Sequence, residues 1–132
     1  IPLDLNMEEM IKRDAHKFDE ACVQFAKTFP KIIREIRAVN PNVTIYADNI
    51  YNPAKGIEAF SQVYSVADDY INRMNRGFYP SDEYVLVDIK KCFDGEKESM
   101  VNLSFKGREI DPHPSEKGHK KIAQMVIKAM ER

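Results

Sequence analysis

The sequence predicts an α/β fold built around a parallel sheet. Helix-period segments and short β-rich runs alternate along the chain, and each β-rich run is apolar and closed by a loop before the next helix. A third observation qualifies the prediction: only two firm strands accompany three long helices.

Residues 7 to 37 place apolar side chains at Ile11, Phe18, Cys22, Phe25, Phe29, Ile32 and Ile36, three and four apart with Ala15 in the gap. That is the period of a helix with one apolar stripe, and Lys12, Arg13, Lys17, Glu20 and Lys27 occupy the other side. Pro30 falls inside this run and predicts a kink or a split, because it lacks an N–H and crowds the preceding turn. Asn40-Pro41-Asn42 reads as the stop. Val43 to Ala47 is rich in strand formers and reads as a strand, followed by a loop from Asp48 to Pro53. Residues 56 to 76 return to helical spacing at Ile57, Phe60, Tyr64, Ala67, Ile71 and Met74, with Gly77 at the C′ position. After a turn at Tyr79-Pro80-Ser81-Asp82, Tyr84 to Ile89 reads as a second buried strand. Residues 90 to 110 have no clear period, and Val101 to Phe105 fits a short strand or an extended loop. Ser115 is placed to N-cap a last helix with an apolar face of Ile122, Ala123, Val126 and Met130. Lys128 and Arg132 sit near its C-terminal end, where cations favour the dipole.

A parallel sheet is covered on both faces, so two strands are too few to bury the stripes of three long helices. The chain has 132 residues, enough for one domain, and begins at Ile rather than Met. The expectation is the later half of a doubly wound domain, with the first strands upstream of Ile1 or on another chain.

Twenty Lys and Arg against 21 Asp and Glu leave a formal charge of −1, which excludes a global basic field that would draw nucleic acid or an anionic membrane. Lys117, Lys120 and Lys121 have no interleaved aromatics and read as a solvated helix face. No apolar run is long enough to predict a transmembrane segment. The two cysteines, Cys22 and Cys92, make neither a disulfide framework nor a zinc motif and read as packing residues.

The segment with chemical content is Asp111-Pro112-His113-Pro114-Ser115-Glu116-Lys117-Gly118-His119. A His between two prolines, just before an N-cap, is held on a stiff loop, and a neutral imidazole there acts as a general base if a partner fixes its tautomer. Asp111 stands two residues before His113, and in an extended segment i and i+2 point to the same side. The bland alternative is a surface loop whose prolines simply start a helix. A third reading is a metal site from Asp111, His113 and His119, for which no fourth ligand is evident. His16, alone on a charged helix face, reads as solvated.

This stretch, continued by Lys120-Lys121-Ile122-Ala123, resembles the last conserved block of the GDSL/SGNH hydrolases, a family of lipases and esterases. Ile45-Tyr46-Ala47-Asp48-Asn49-Ile50-Tyr51-Asn52-Pro53 is similar to the Tyr-Asn-Pro that bacterial lipase-like members often carry after their penultimate strand. Asp69 to Asn72 and Tyr84 to Ile89 occupy the places of a helix and the last strand, so the resemblance covers nearly the whole chain. It implies a three-layer α/β/α, flavodoxin-like fold with a five-stranded parallel sheet. It also implies hydrolysis of a small ester or lipid-like substrate by a Ser nucleophile, a His base and a supporting Asp, with no cofactor and no metal. His113 matches the family's base. The family commonly places its Asp three residues before the His, where this chain has Ile110; Asp111 is the candidate here, and a main-chain carbonyl the alternative orienter. The blocks that carry the family's serine, glycine and asparagine have no counterpart. None of the six serines, Ser61, Ser65, Ser81, Ser99, Ser104 and Ser115, follows a strand in a tight Gly-containing turn.

Residues 1–132 are therefore expected to be the C-terminal portion of one SGNH-like domain, supplying His113 and Asp111. Its partner would be an N-terminal portion of the same domain, cleaved or separate, and this chain alone would be inactive. Among the six tyrosines, Tyr51 is the candidate for a substrate pocket, because α/β sites lie at the carboxyl ends of strands. The competing expectation is a non-catalytic α/β binding or interaction module that has lost the nucleophile.

Overall fold

The protein is described by a computed structural model over residues 14–102 and 111–131. The readings made above for residues 1–13, 103–110 and 132 lie outside the described residues. The order of elements is helix α1 (Ala15–Val39), strand β1 (Tyr46–Asp48), a 3₁₀ turn (Glu58–Phe60) leading into α2 (Ser61–Asn75), strand β2 (Val85–Val87), α3 (Ile89–Asp94) and α4 (Glu116–Met130). Strands β1 and β2 pair in parallel, with Tyr46 opposite Val85, Ala47 opposite Leu86 and Asp48 opposite Val87. The described residues thus form a helix-rich α/β unit with a small, two-stranded parallel sheet.

Helix α1 runs unbroken through Pro30, so of the kink and the split expected there the split does not occur. An interior proline costs about 3 kcal/mol. The packing on either side offsets it. Ile33 is buried, and Phe29 meets Phe25, Phe78, Tyr79 and Tyr84 with ring centroids 5.0 to 5.9 Å apart. Ile33, not Ile32, is the inward residue after Phe29; Ile32 and Ile36 stay exposed. At the end of the helix, Arg37 donates from Nη1 to the carbonyl of Val43 at 3.2 Å and from Nε to that of Glu83 at 3.1 Å. One guanidinium therefore holds the approaches to both strands.

The strands are shorter than their β-rich runs. Pairing starts at Tyr46 rather than Val43, and Ile89 opens α3 instead of closing β2. Asp88 explains the switch: its carboxylate accepts from the Lys91 N–H at 3.1 Å as an N-cap and ends the strand. No helical period in the sequence marks α3, which contains Cys92.

Alternation along the strands sorts the core into two clusters. Ile45, Ala47 and Tyr84 join Phe29 and Ile33 beneath α1. Tyr46 and Val87 join Ile89, Phe93 and Met100 beneath α3 and α4. Full burial of Phe93, Ile33 and Ile89 contributes about 2 kcal/mol each. The face of α4 is Ile122, Met125, Val126 and Ala129, whereas Ala123 and Met130 point to solvent. That stripe follows strict i, i+3, i+4, i+7 spacing. Gly77 does occupy C′, yet its φ is not positive. It is glycine because a Cβ would run into the Phe25 ring.

Candidate functional site

His113 stands on the loop that enters α4. Ser115 accepts the Gly118 N–H at 3.1 Å as the expected N-cap. The loop is also pinned sideways. Val101 and Pro114 form an antiparallel bridge, the Asn102 N–H donates to the His113 carbonyl at 2.8 Å, and the Ser115 N–H donates to the Met100 carbonyl at 2.8 Å. Gly118 lets the first turn of α4 sit against that same carbonyl, because a Cβ there would run into it. The glycine is thus required by a close approach, and the sequence pattern had offered no reason for it.

Asp111 and His113 meet as the i, i+2 spacing suggests. Asp111 Oδ1 lies 2.5 Å from His113 Nδ1 and also accepts the His113 backbone N–H at 3.0 Å. The backbone N–H first, and then the ring, hold the Asp111 carboxyl below its ordinary value. The imidazole is 81% exposed, and among the described residues nothing bonds Nε2. With the proton on Nδ1, Nε2 presents its lone pair outward, the arrangement a general base needs. Ile110 lies outside the described residues.

Tyr51, on the loop after β1, reaches the same place from 61 residues away in sequence. Its hydroxyl donates to the Pro112 carbonyl at 2.7 Å, and its ring packs on the buried Phe93 with centroids 5.0 Å apart. Burial, and then the nearby Asp111 carboxylate, push the Tyr51 phenol up, so it stays a donor. The sequence signalled Tyr51 by its place after a strand; it gave no sign of the contact to Pro112.

A second polar group lies beside this loop. Lys90 Nζ is 2.9 Å from Asp68 Oδ1 and 2.7 Å from Asp94 Oδ2. Asn52, 1% exposed, donates to Asp68 Oδ1 at 3.2 Å and to the Tyr64 carbonyl at 3.3 Å, and accepts the Ala54 N–H at 2.9 Å. Burial alone would raise the Asp68 pKa, but hydrogen bonds from Lys90 and Asn52 outweigh it and hold the carboxyl below its ordinary value. No part of this network was read from the sequence.

His119 lies in the first turn of α4, and Asp111, His113 and His119 do not form a metal cluster: among the described residues no group of three or more His, Cys, Asp or Glu is placed to hold a metal ion. Cys22 and Cys92 are free and half-buried, and burial pushes the Cys92 thiol up. An apolar groove of about 360 Å³, lined by residues such as Val85, Val87, Met125 and Ala129, runs between β2 and α4, and no residue of the His113 loop lines it. Among the described residues no helix is long and apolar enough to cross a membrane.

The chain is similar to an uncharacterized protein of Bacillus subtilis, YpmR, at 25% identity over 126 residues. The similarity covers 95% of this chain and 48% of the relative, so the chain spans about half the relative's length. No protein-family profile matches the chain, and no solved structure matches it.

Proposed function

We propose that this chain supplies the base and the orienting carboxylate of a Ser-His-Asp acyl hydrolase of the GDSL/SGNH type. The observation that carries the reading is the exposed His113 imidazole, bonded through Nδ1 to Asp111 at 2.5 Å with Nε2 unbonded among the described residues. In such a site Nε2 takes the proton of an attacking serine and returns it to the leaving group, while the carboxylate holds the tautomer and stabilises the imidazolium. The serine and the oxyanion donors would come from residues outside this chain, as would the remaining strands of a five-stranded, three-layer domain. Leu86 on β2, Ile32 and Ile36 on α1, and Ile127 and Met130 on α4 are exposed, as expected of faces that further elements cover. The substrate class is a small ester or lipid-like acyl compound.

The test is hydrolysis of p-nitrophenyl acetate by the intact gene product and by its His113→Ala variant. The variant is expected to lose about 10³-fold or more in kcat/KM. Its thermal midpoint should be unchanged, because the ring is 81% exposed. An intact protein with no esterase activity would instead favour a non-catalytic α/β binding module.

A further inference from the structure

We infer that Tyr51 is a positioning residue for His113, acting through the Pro112–His113 peptide; the inference rests on the hydrolase reading above. That one peptide is gripped from both sides. Its carbonyl accepts the Tyr51 hydroxyl at 2.7 Å, and its N–H donates to Asp111 Oδ1 at 3.0 Å. The next carbonyl, that of His113, accepts the Asn102 N–H at 2.8 Å. Every backbone polar group of His113 is therefore bonded, while its ring is 81% exposed. With the peptides on both sides of the His113 Cα held, by Tyr51 and Asp111 before it and by Asn102 after it, the Cα–Cβ direction is set and the ring meets Asp111 without a search. A hydrogen bond to a peptide's carbonyl also polarises its N–H. Tyr51 thereby strengthens the bond to the carboxylate that orients the imidazole.

Tyr51 is itself firmly seated. Before it, Ile50 is bonded on both backbone groups by one side chain: its N–H donates to Asn75 Oδ1 at 2.9 Å, and its carbonyl accepts Asn75 Nδ2 at 2.8 Å. After it, Asn52 is buried in the Asp68 network. The ring rests on Phe93, which is 2% exposed. A phenol on such a seat locates a distant loop in the way a catalytic group's supporting residues do. A tyrosine that simply lined a substrate pocket would leave its hydroxyl for the substrate.

The test uses the intact gene product and Tyr51→Phe, which keeps the ring packing and removes only the hydroxyl. With p-nitrophenyl acetate, kcat is expected to fall about tenfold with KM nearly unchanged, because a mis-set base slows chemistry and not binding. In an Asp111→Asn background the same substitution is expected to add little, since both act through His113. Amide hydrogen exchange at His113 should quicken in Tyr51→Phe. A change in KM alone, or no change in kcat, overturns the inference. Failure of the parent reading is distinguishable, because an intact protein whose His113→Ala variant behaves like wild type removes the catalytic role altogether. In that case His113 exchange still decides the peptide clamp: quicker exchange in Tyr51→Phe supports it, and unchanged exchange overturns it.

Discussion

Two polar clusters, one around Lys90 and one around His113, are built in opposite ways. Around Lys90 the cation is sunk between two carboxylates, its side chain only 11% exposed, with Asn52 and Asn72 bonding the same Asp68. At His113 the backbone is bonded on every group, yet the imidazole stands out in solvent with a single carboxylate on one nitrogen. The first arrangement fixes structure, because its charges already have partners. The second holds an imidazole by its backbone and leaves one ring nitrogen unbonded among the described residues. Asn52 joins the two: it is part of the Lys90 network and is the residue next to Tyr51, whose hydroxyl bonds the His113 loop.

Crossed substitutions separate the two clusters. The largest effect belongs to His113→Ala, which is expected to cut hydrolysis by the intact protein about 10³-fold or more and leave its stability alone. Lys90→Met should do the reverse in kind. It leaves Asp68 and Asp94 without their shared cation and is expected to cost about 2 kcal/mol in urea unfolding at neutral pH. That cost should depend on pH with a definite sign. Asp68 is held below its ordinary 3.8 and Lys90 above its ordinary 10.5, the latter because burial is outweighed by its hydrogen bonds to Asp94 and Asp68. The stability they contribute is fully present between those two values. It is lost as pH falls below 3.8 through the Asp68 pKa, and as pH rises past 10.5 through that of Lys90. Wild type and Lys90→Met should therefore converge in acid. A stability gap unchanged at pH 3 would mean that Lys90 acts by packing alone.

The smallest effect is local. Because His113's own N–H and ring depress the Asp111 pKa, the bond to the His113 amide should persist at pH values above the ordinary 3.8 and be lost only as pH falls below it. Protection of that amide, followed by NMR, should fade in acid without global unfolding.

The site's local half was legible in the sequence. Prolines on both sides of His113, a carboxylate two residues earlier and Ser115 before a helical period were enough to expect a stiff loop, an Asp–His contact and a cap. Its non-local half was not. Tyr51 and Pro112 are 61 residues apart, and no local pattern encodes their bond. The two strands and their parallel sense were also expected, but their lengths were not, because β-rich composition does not show where pairing begins. Asp88 was read as strand when it is an N-cap, which hid α3. Of the kink and the split that Pro30 offered, the split does not occur: the helix runs on through it, with Phe29 and Ile33 buried on either side. The five-stranded, three-layer architecture implied by resemblance goes beyond the two-stranded sheet of the described residues and stands with the proposed function.

As proposed, His113 is the base of a serine hydrolase whose nucleophile lies outside these residues. Fluorophosphonate labelling of the intact gene product, read by peptide mass spectrometry, tests it most directly. One labelled serine is expected, none of the six in this chain, with labelling slowed about 10³-fold or more in His113→Ala. No labelled serine, or labelling at the same rate without His113, would contradict it.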